Sequence, residues 1–135
     1  APYLRNIATR SWVGTGAKIS IAGFVITGNT QKQILVRGLG PSMQSKFPPG
    51  AELLIDPRLK LFRGSELIAS NDDWGVDNIN ADEIARLPAS IRPADAREPA
   101  ILITLEPGLY STHFQGVGTT TGIGNVAVYD LTGRQ

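Results

Sequence analysis

The chain has 135 residues, of which 41% are hydrophobic and 19% charged, so it has the apolar content of one globular domain and not of a disordered segment. Because it contains no cysteine, a disulfide framework, a thiol nucleophile and thiolate metal ligands are excluded. A net charge of +1 with scattered basic residues argues against nucleic-acid binding, and no apolar run approaches the roughly 20 residues of a membrane-spanning helix.

Short runs of Ile, Val, Leu, Phe and Thr alternate with 15 glycines and 9 prolines, a rhythm typical of all-β proteins. The first predicted strand spans residues 3–9 and ends before a turn at residues 14–16. The second, residues 18–27, is apolar on both faces, which predicts a central strand. Gly28 and Asn29 indicate a tight turn, so this strand and the next, residues 33–39, are predicted to form a hairpin.

The middle of the chain is predicted to contain two short strands between two long loops. Four prolines between residues 41 and 57 indicate an irregular connection with one helical turn near residues 43–46. The strands at residues 59–62 and 67–70 follow. Their predicted inward residues are Leu59, Leu61, Leu67 and Ala69. Residues 71–99 are polar and acidic, with one short helix that Asn80 is predicted to cap.

The last third predicts three more strands. Residues 100–105 and 109–115 flank Glu106-Pro107-Gly108, which fits a β-turn and predicts a second hairpin. The final strand spans residues 123–131 and places Val126 and Val128 in the core. The result is one domain over residues 1–135, an all-β antiparallel sandwich or jelly roll of about eight strands.

Charge is distributed unevenly along the chain. Residues 1–51 carry six basic side chains and no acidic one, whereas residues 66–83 carry six acidic side chains and no basic one. In one interpretation the two segments neutralise each other within the domain, as in any soluble fold. In the other, complementary patches meet between molecules.

Side chains for catalysis are scarce. Ser42, in Gly-Pro-Ser, and the single histidine, His113, are the arguable ones, and no nucleophile-elbow, zinc-protease or phosphate-loop motif is present. Strand alternation predicts that His113 faces solvent. Gly38 and Gly40 precede Pro41 outside any βαβ unit, so they indicate a turn and not a dinucleotide site. The sequence therefore predicts a protein that is not an enzyme.

An acidic segment around Gly75 is the candidate metal site. Asn71, Asp72, Asp73 and Asp77 supply the oxygen ligands that calcium prefers, although their spacing departs from that of an EF-hand. The same side chains are typical of turns in which they bond to nearby backbone groups. Calcium is the one cofactor that the sequence suggests.

Aromatic residues form the candidate ligand-binding site. Trp12 and Trp74 lie beside glycine-rich turns and, with Tyr110 and Tyr129, would offer a flat face for sugar rings. Alternatively, both indoles pack over the ends of the sandwich. A polysaccharide is therefore a candidate partner.

Seven ordered motifs carry a resemblance. They are Asn6-Ile-Ala-Thr-Arg10, Ala22-Gly-Phe-Val-Ile26, Leu35-Val-Arg-Gly-Leu-Gly-Pro-Ser42, Asp56-Pro-Arg-Leu59, Ser70-Asn-Asp-Asp-Trp74, Glu106-Pro-Gly-Leu-Tyr110 and Gly116-Val-Gly-Thr-Thr-Thr-Gly122. Together they resemble a domain of large secreted bacterial proteins, and residues 56–116 are similar to the bacterial pre-peptidase C-terminal domain. That resemblance implies a secreted β-sandwich with an accessory role beside exported enzymes, sometimes with calcium bound.

The first strand is the candidate assembly element. Tyr3, Leu4, Arg5, Asn6 and Ile7 are predicted to pair with the sheet of another copy, so that copies join head to tail into a filament. The same strand would otherwise complete its own domain. Binding to glycans or cell surfaces, and stabilisation of a parent secreted protein, remain open. The Ala-Pro start is expected after removal of a signal peptide, which favours an extracellular location.

Overall fold

Eight strands form the framework of the part of the chain that the structure describes. The structure is a computed structural model that covers residues 4–132, with side chains from residue 8 onward. The strands are β1 (Leu4–Val13), β2 (Ser20–Ile26), β3 (Lys32–Leu39), β4 (Pro57–Arg63), β5 (Glu66–Asn71), β6 (Ala100–Leu105), β7 (Gly108–Gly116) and β8 (Gly122–Asp130). The helices are α1 (Ala81–Ala85) and two 3₁₀ helices, Gly16–Lys18 and Pro41–Lys46. None of the described helices is long and apolar enough to cross a bilayer.

The strands pair in nested order, all antiparallel. β1 pairs with β8, β2 with β7, β3 with β6 and β4 with β5. Two further pairings, of β3 with β8 and of β4 with β7, join these ribbons into sheet A, in the order β1-β8-β3-β6, and sheet B, in the order β2-β7-β4-β5. This is the double Greek-key order of a jelly roll, so the predicted fold class is confirmed.

The main core lies between the two sheets, where the inward positions of alternating strands meet. Val126 and Val128 are buried there, as predicted. Phe114 of β7 fits against two glycines of sheet A: a Cβ atom at Gly38 would lie 2.3 Å from the ring, and one at Gly124 would lie 2.6 Å from it. Only glycine fits at these two positions, so the ring fixes how closely the sheets approach.

A second core lies on the outer face of sheet A. Residues 71–99, here named the cover, fold over β3, β6 and β8 and include α1. The buried side chains of this core are Leu35, Ile84, Leu87, Ile91, Ala100, Leu102, Ala127, Tyr129 and Leu131. The outer face of sheet B has no such cover among the described residues, and Ile21, Val25 and Leu109 are 60%, 58% and 69% exposed there.

Three predictions about strand arrangement are wrong. β2 is an edge strand of sheet B and not central, and its outward apolar residues face solvent. β2 and β3 do not form a hairpin, and neither do β6 and β7, because the members of each pair lie in different sheets. Turn residues indicate only that the chain reverses direction. In the nested order, each of these two turns carries the chain from one sheet to the other, so the strands on either side of it do not pair. The β4–β5 hairpin at Gly64 and Ser65 does form.

One predicted inward residue, Leu67, points outward and is 51% exposed. The register between β4 and β5 shifts between Leu61 and Phe62, so that Leu61 pairs with Ala69 whereas Phe62 pairs with Leu67. Opposite residues of an antiparallel pair share a face, so this bulge moves Leu67 to the outer face. Leu59, Leu61 and Ala69 pack in the core as predicted.

Candidate functional site

Three asparagine side chains of the cover bind the free edge of β6. The Oδ1 atom of Asn71 accepts a hydrogen bond from the Ala100 amide at 3.1 Å, and the Nδ2 atom of Asn78 donates to the Ala100 carbonyl at 2.7 Å. The Nδ2 atom of Asn80 donates to the Leu102 carbonyl at 2.7 Å. These side chains, here named the asparagine cap, occupy backbone groups that another strand would need.

The predicted helix-capping role of Asn80 is therefore wrong. The residue does occupy the N-cap position of α1, but it has a φ of 60° and makes no side-chain capping bond. Its side chain turns to β6, because the cover has to satisfy the edge of a strand that it lies beside. The sequence carried a signal for this cap in the spacing of Asn78 and Asn80, which matches that of Ala100 and Leu102.

The four residues of the candidate calcium site lie at the start of the cover. Both polar atoms of the Asn71 side chain are engaged, because its Nδ2 atom also donates to the Asp73 and Val76 carbonyls. These are bonds of the kind that the turn interpretation predicts. Within residues 8–132 no three His, Cys, Asp or Glu side chains come together as metal ligands. Calcium binding stays a prediction.

The acidic side chains of this segment lie close enough together to influence one another's charge. Asp72 and Asp77 line a cavity of about 240 Å³ together with Arg58, whose guanidinium supplies positive charge there. Burial raises the pKa of Asp73, and the neighbouring carboxylates of Asp72 and Asp56 raise it further. A cation at this position would relieve the repulsion among these carboxylates.

A buried carboxylate, which the sequence analysis did not single out, anchors the end of the cover. Glu98 is fully buried, and its Oε2 atom accepts hydrogen bonds from the Gly40 amide at 2.7 Å, the Ser42 amide at 2.9 Å and the Ser42 hydroxyl at 2.7 Å. Its Oε1 atom accepts one from the Asp95 amide at 3.1 Å. We name these contacts the Glu98 anchor. The Gly-Leu-Gly-Pro-Ser motif thus forms a turn whose amides receive a carboxylate from a distant part of the chain.

The close approach of another backbone segment explains why residue 40 is a glycine. A Cβ atom at this position would lie 1.9 Å from the carbonyl oxygen of Leu54, so no larger residue fits without moving the backbone. Pro41 then begins the 3₁₀ helix, where a missing N–H group leaves no bond unmade. The reading of these residues as a turn and not a dinucleotide loop agrees with this geometry.

Ser42 and His113 engage different partners. The Ser42 hydroxyl donates to Glu98 in the anchor. His113 lies on the outer face of sheet B, where its ring is 4.4 Å from that of Phe62, centroid to centroid. Partial burial and the nearby Lys60 ammonium lower the pKa of His113. Neither contact joins Ser42 to His113, and the Glu98 carboxylate that accepts from Ser42 also accepts from three backbone amides.

The four aromatic residues do not share a face. Trp12 is 51% exposed on β1. Trp74 packs against the second core, with the Arg92 guanidinium 5.7 Å from its ring. Tyr110 stacks on Phe24 in the main core, and Tyr129 is buried in the second core. Only Trp12 among them offers an open ring to a ligand.

The predicted assembly residues lie in β1 or just before it. The backbone of Leu4, Arg5 and Ile7 pairs with Asp130, Tyr129 and Val128 of the same chain, and the register shifts between Arg5 and Ile7, around Asn6. Tyr3 lies outside the described residues. β1 is an edge strand, so within the described residues it is joined to sheet A along one side only.

Comparison with solved structures gives the fold a precedent. A crystal structure of the pre-peptidase C-terminal domain of a collagenase from Bacillus anthracis matches 91% of this chain and 88% of its own, with a TM-score of 0.55 and 13% sequence identity. This chain has the fold of that domain. No family model matches the sequence, and no curated protein matches it. The predicted likeness to pre-peptidase C-terminal domains is thus confirmed for the fold.

Proposed function

We propose that this domain is a non-catalytic accessory module of a secreted protein, and that it acts by associating with copies of itself or with the protein that carries it. One observation supports the proposal most directly: polar side chains of the cover bind the backbone of their own domain. Asn71, Asn78, Asn80 and Glu98 all bond to backbone groups of the domain itself. Those side chains hold the fold together, which leaves strand edges and exposed apolar positions as the groups available to partners.

The comparison supports the accessory role. The domain of similar fold is the pre-peptidase C-terminal domain of a collagenase. An accessory domain of a secreted enzyme would work outside the cell. The extracellular location and the absence of catalysis are parts of this proposal and rest on that analogy of fold.

The proposed route of self-association is exchange of β1. Its register with β8 extends from Leu4–Asp130 to Val13–Gly122. Because β1 is an edge strand that pairs along one side within the described residues, the β1 strand of another copy would make the same backbone bonds, as in domain swapping. The acidic side chains of the cover and the basic ones of residues 1–51 would favour a head-to-tail arrangement.

Truncation tests this route. We expect a chain that lacks residues 1–10 to lose the self-association that depends on β1 and to bind a synthetic peptide of residues 1–13, because the groove beside β8 is then empty. Peptide binding is measured by fluorescence anisotropy, with a peptide of the same composition in scrambled order as the control. A full-length chain that sediments as a monomer at high concentration and low salt contradicts the exchange, as does a truncated chain that does not bind the peptide.

Glycan binding is the second candidate function, and the exposed ring of Trp12 favours it. Sugar rings stack on open indole faces, so Trp12→Ala is expected to abolish retardation of the protein in affinity gels that contain polysaccharide. Leu109→Ala, at an apolar position that is more exposed than Trp12, is the matched control. Equal mobility of wild type and Trp12→Ala in every polysaccharide gel would exclude this function for Trp12.

A further inference from the structure

β2 is an edge strand with no visible protection. Within the described residues its strand partner is β7 alone, and the register between them is regular over all seven pairs from Ser20–Phe114 to Ile26–Gly108. The strand contains no proline and no charged residue. A flat, apolar edge of this kind is a ready template for another strand, because its outward amides and carbonyls lack partners.

The other three edge strands each depart from that description. β6 carries the asparagine cap. The pairing of β5 with β4 contains a bulge, and the pairing of β1 with β8 contains a register shift. Bulges and covering segments are the devices by which sheets keep their edges from pairing. In the described part of the chain, β2 is thus the edge left open to a partner strand.

The sequence of β2 is complementary to itself about Gly23. Ile21 and Val25 lie two residues before and two residues after it, on the outer face, and are 60% and 58% exposed. If two copies meet antiparallel with Gly23 on a two-fold axis, Ile21 of each lies opposite Val25 of the other. Cross-strand pairs of β-branched residues stabilise sheets, so this register brings all four exposed side chains into pairwise contact on the outer face.

The inward-facing residues of β2, and Gly23 on the two-fold axis, are also compatible with this register. Ala22 of one copy lies opposite Phe24 of the other, a small residue beside a large one. Gly23 meets Gly23 with no side chain between them. Val25 is also paired with Leu109 of β7, which is 69% exposed, so the apolar row continues into each sheet.

We propose that two copies of this domain pair through β2, antiparallel about Gly23, so that their B sheets form one continuous sheet of eight strands. The partner is a second copy of this chain, because the register is self-complementary. This inference rests on the proposed function only in naming one contact through which copies associate. It uses β2, whereas the exchange route uses β1. An interface of one strand edge is small, below about 1,200 Å², so the dimer is a weak one that forms at high protein concentration.

A cysteine at the axis tests the register. The chain has no cysteine, so in Gly23→Cys a disulfide can form only between molecules. The substitution is tolerated sterically, because a Cβ atom at Gly23 has the Tyr110 carbonyl oxygen as its nearest neighbour, at 3.7 Å. Residues directly opposite in an antiparallel pair have Cα atoms about 4.5–5.5 Å apart, within the range of a disulfide.

Ile21→Cys is the register control. Ile21 is 60% exposed and lies on the same face of the same strand, but its counterpart in the second copy would be about 14 Å away along the strand. Under mild oxidation we expect Gly23→Cys to form covalent dimer at least tenfold faster than Ile21→Cys. The double variant Ile21→Cys, Val25→Cys is expected to cross-link as fast as Gly23→Cys. Equal rates for the two single variants, or no dimer from either, would overturn the proposal.

Charge repulsion gives an independent test that needs no covalent bond. Gly23→Lys places two like charges at the axis, so the rise in sedimentation coefficient with concentration that we expect for wild type should become smaller. In a chain that also lacks residues 1–10, it should disappear. Leu67→Lys, 51% exposed on the opposite edge strand β5, should sediment like wild type. Loss of association in the chain without residues 1–10, but not in Gly23→Lys, would support exchange of β1 and refute pairing through β2. The reverse result would support β2 alone.

Discussion

The outer faces of the two sheets differ although their sequences look alike. β3 of sheet A and β2 of sheet B both carry apolar residues on both faces, a pattern typical of buried strands. Leu35 on the outer face of β3 is fully buried under the cover, whereas Val25 on the outer face of β2 is 58% exposed. Whether a second apolar face is buried therefore depends on a segment far away in the chain, and not on the strand itself.

Loss of the Glu98 anchor should have the largest effect on stability, because this anchor holds one end of the cover that buries the outer face of sheet A. In Glu98→Ala the Gly40 and Ser42 amides, the Ser42 hydroxyl and the Asp95 amide lose their acceptor, and unpaired buried donors cost about 1–3 kcal/mol each. We expect a loss of about 3 kcal/mol in the free energy of unfolding, since four donors lose a charged acceptor at once and the Gly40 amide stays buried.

Denaturant unfolding measures this loss, and Glu106→Ala provides the matched surface control. Glu106 has an exposed side chain 3.9 Å from Arg63, so its removal should change stability by no more than about 0.5 kcal/mol. Similar stabilities of the two variants would show that the carboxylate of Glu98 does not anchor the cover.

A pair of identical substitutions sharpens the comparison of the two faces. Leu35 and Leu109 lie on the outer faces of sheets A and B, and their exposures are 0% and 69%. Leu35→Ala should cost about 2–5 kcal/mol through loss of burial and a residual cavity. Leu109→Ala should cost less than about 0.5 kcal/mol. Thermal melting of both variants tests this, and equal shifts would mean that the cover does not bury the outer face of sheet A.

The asparagine cap is expected to contribute less than the second core. Asn78→Ala removes the donor to the Ala100 carbonyl and a second bond to the Trp74 carbonyl. Because solvent can reach part of this edge, we expect a loss of about 1–2 kcal/mol. Asn29→Ala, at an exposed turn, should leave the melting temperature unchanged. Faster amide hydrogen exchange in β6 of Asn78→Ala, but not of Asn29→Ala, would identify the cap as its cause.

Calcium is expected to stabilise the cover modestly if it binds there. A ligand present at about ten times its dissociation constant adds about 1.4 kcal/mol when only the folded state binds it. Melting with millimolar calcium and with chelator measures this, in wild type and in Asp77→Asn, with Asp82→Asn as the control. An unchanged midpoint in wild type would rule out the site.

The smallest expected effect is on the pH dependence of stability, and it comes from His113 on the outer face of sheet B. The pKa of His113 is lowered below its ordinary value of 6.5, mainly by burial and secondly by Lys60. Between the folded pKa and 6.5 the unfolded chain binds more protons, so this residue lowers stability as the pH falls through that window. The melting temperature of wild type should therefore drop more from pH 7.5 to pH 5 than that of His113→Gln. Parallel pH profiles would contradict the shift.

Local patterns were sufficient for the strands themselves. All eight predicted strands are present, with ends that differ by a few residues, and β6 begins and ends where predicted. The 3₁₀ helix Pro41–Lys46 and α1 also lie within predicted segments. Alternating side chains and turn residues act over short distances, so they are readable without knowledge of the partner strands.

The pairing of the strands and the packing of the cover could not be predicted from such local patterns. The turns at Gly28 and at Pro107 look like hairpin turns, but strand partners depend on the nested order of the whole ribbon. The Glu98 anchor joins residues 56 and 58 positions apart, with no spacing rule that connects them. For the candidate site, the sequence located the acidic segment correctly as a loop but did not show that its asparagines bind β6.

The nested pairing also determines the order in which the fold can form during synthesis. The β4–β5 hairpin is the one strand pair that is local in the chain, whereas β1 must wait for β8, which is made last. Pairings between distant segments form slowly, and their strands stay unsatisfied in the meantime. A nascent chain therefore exposes β2 until β7 is made and β1 until β8 is made. A chaperone that shields these two strands over that interval would raise the yield of folded domain.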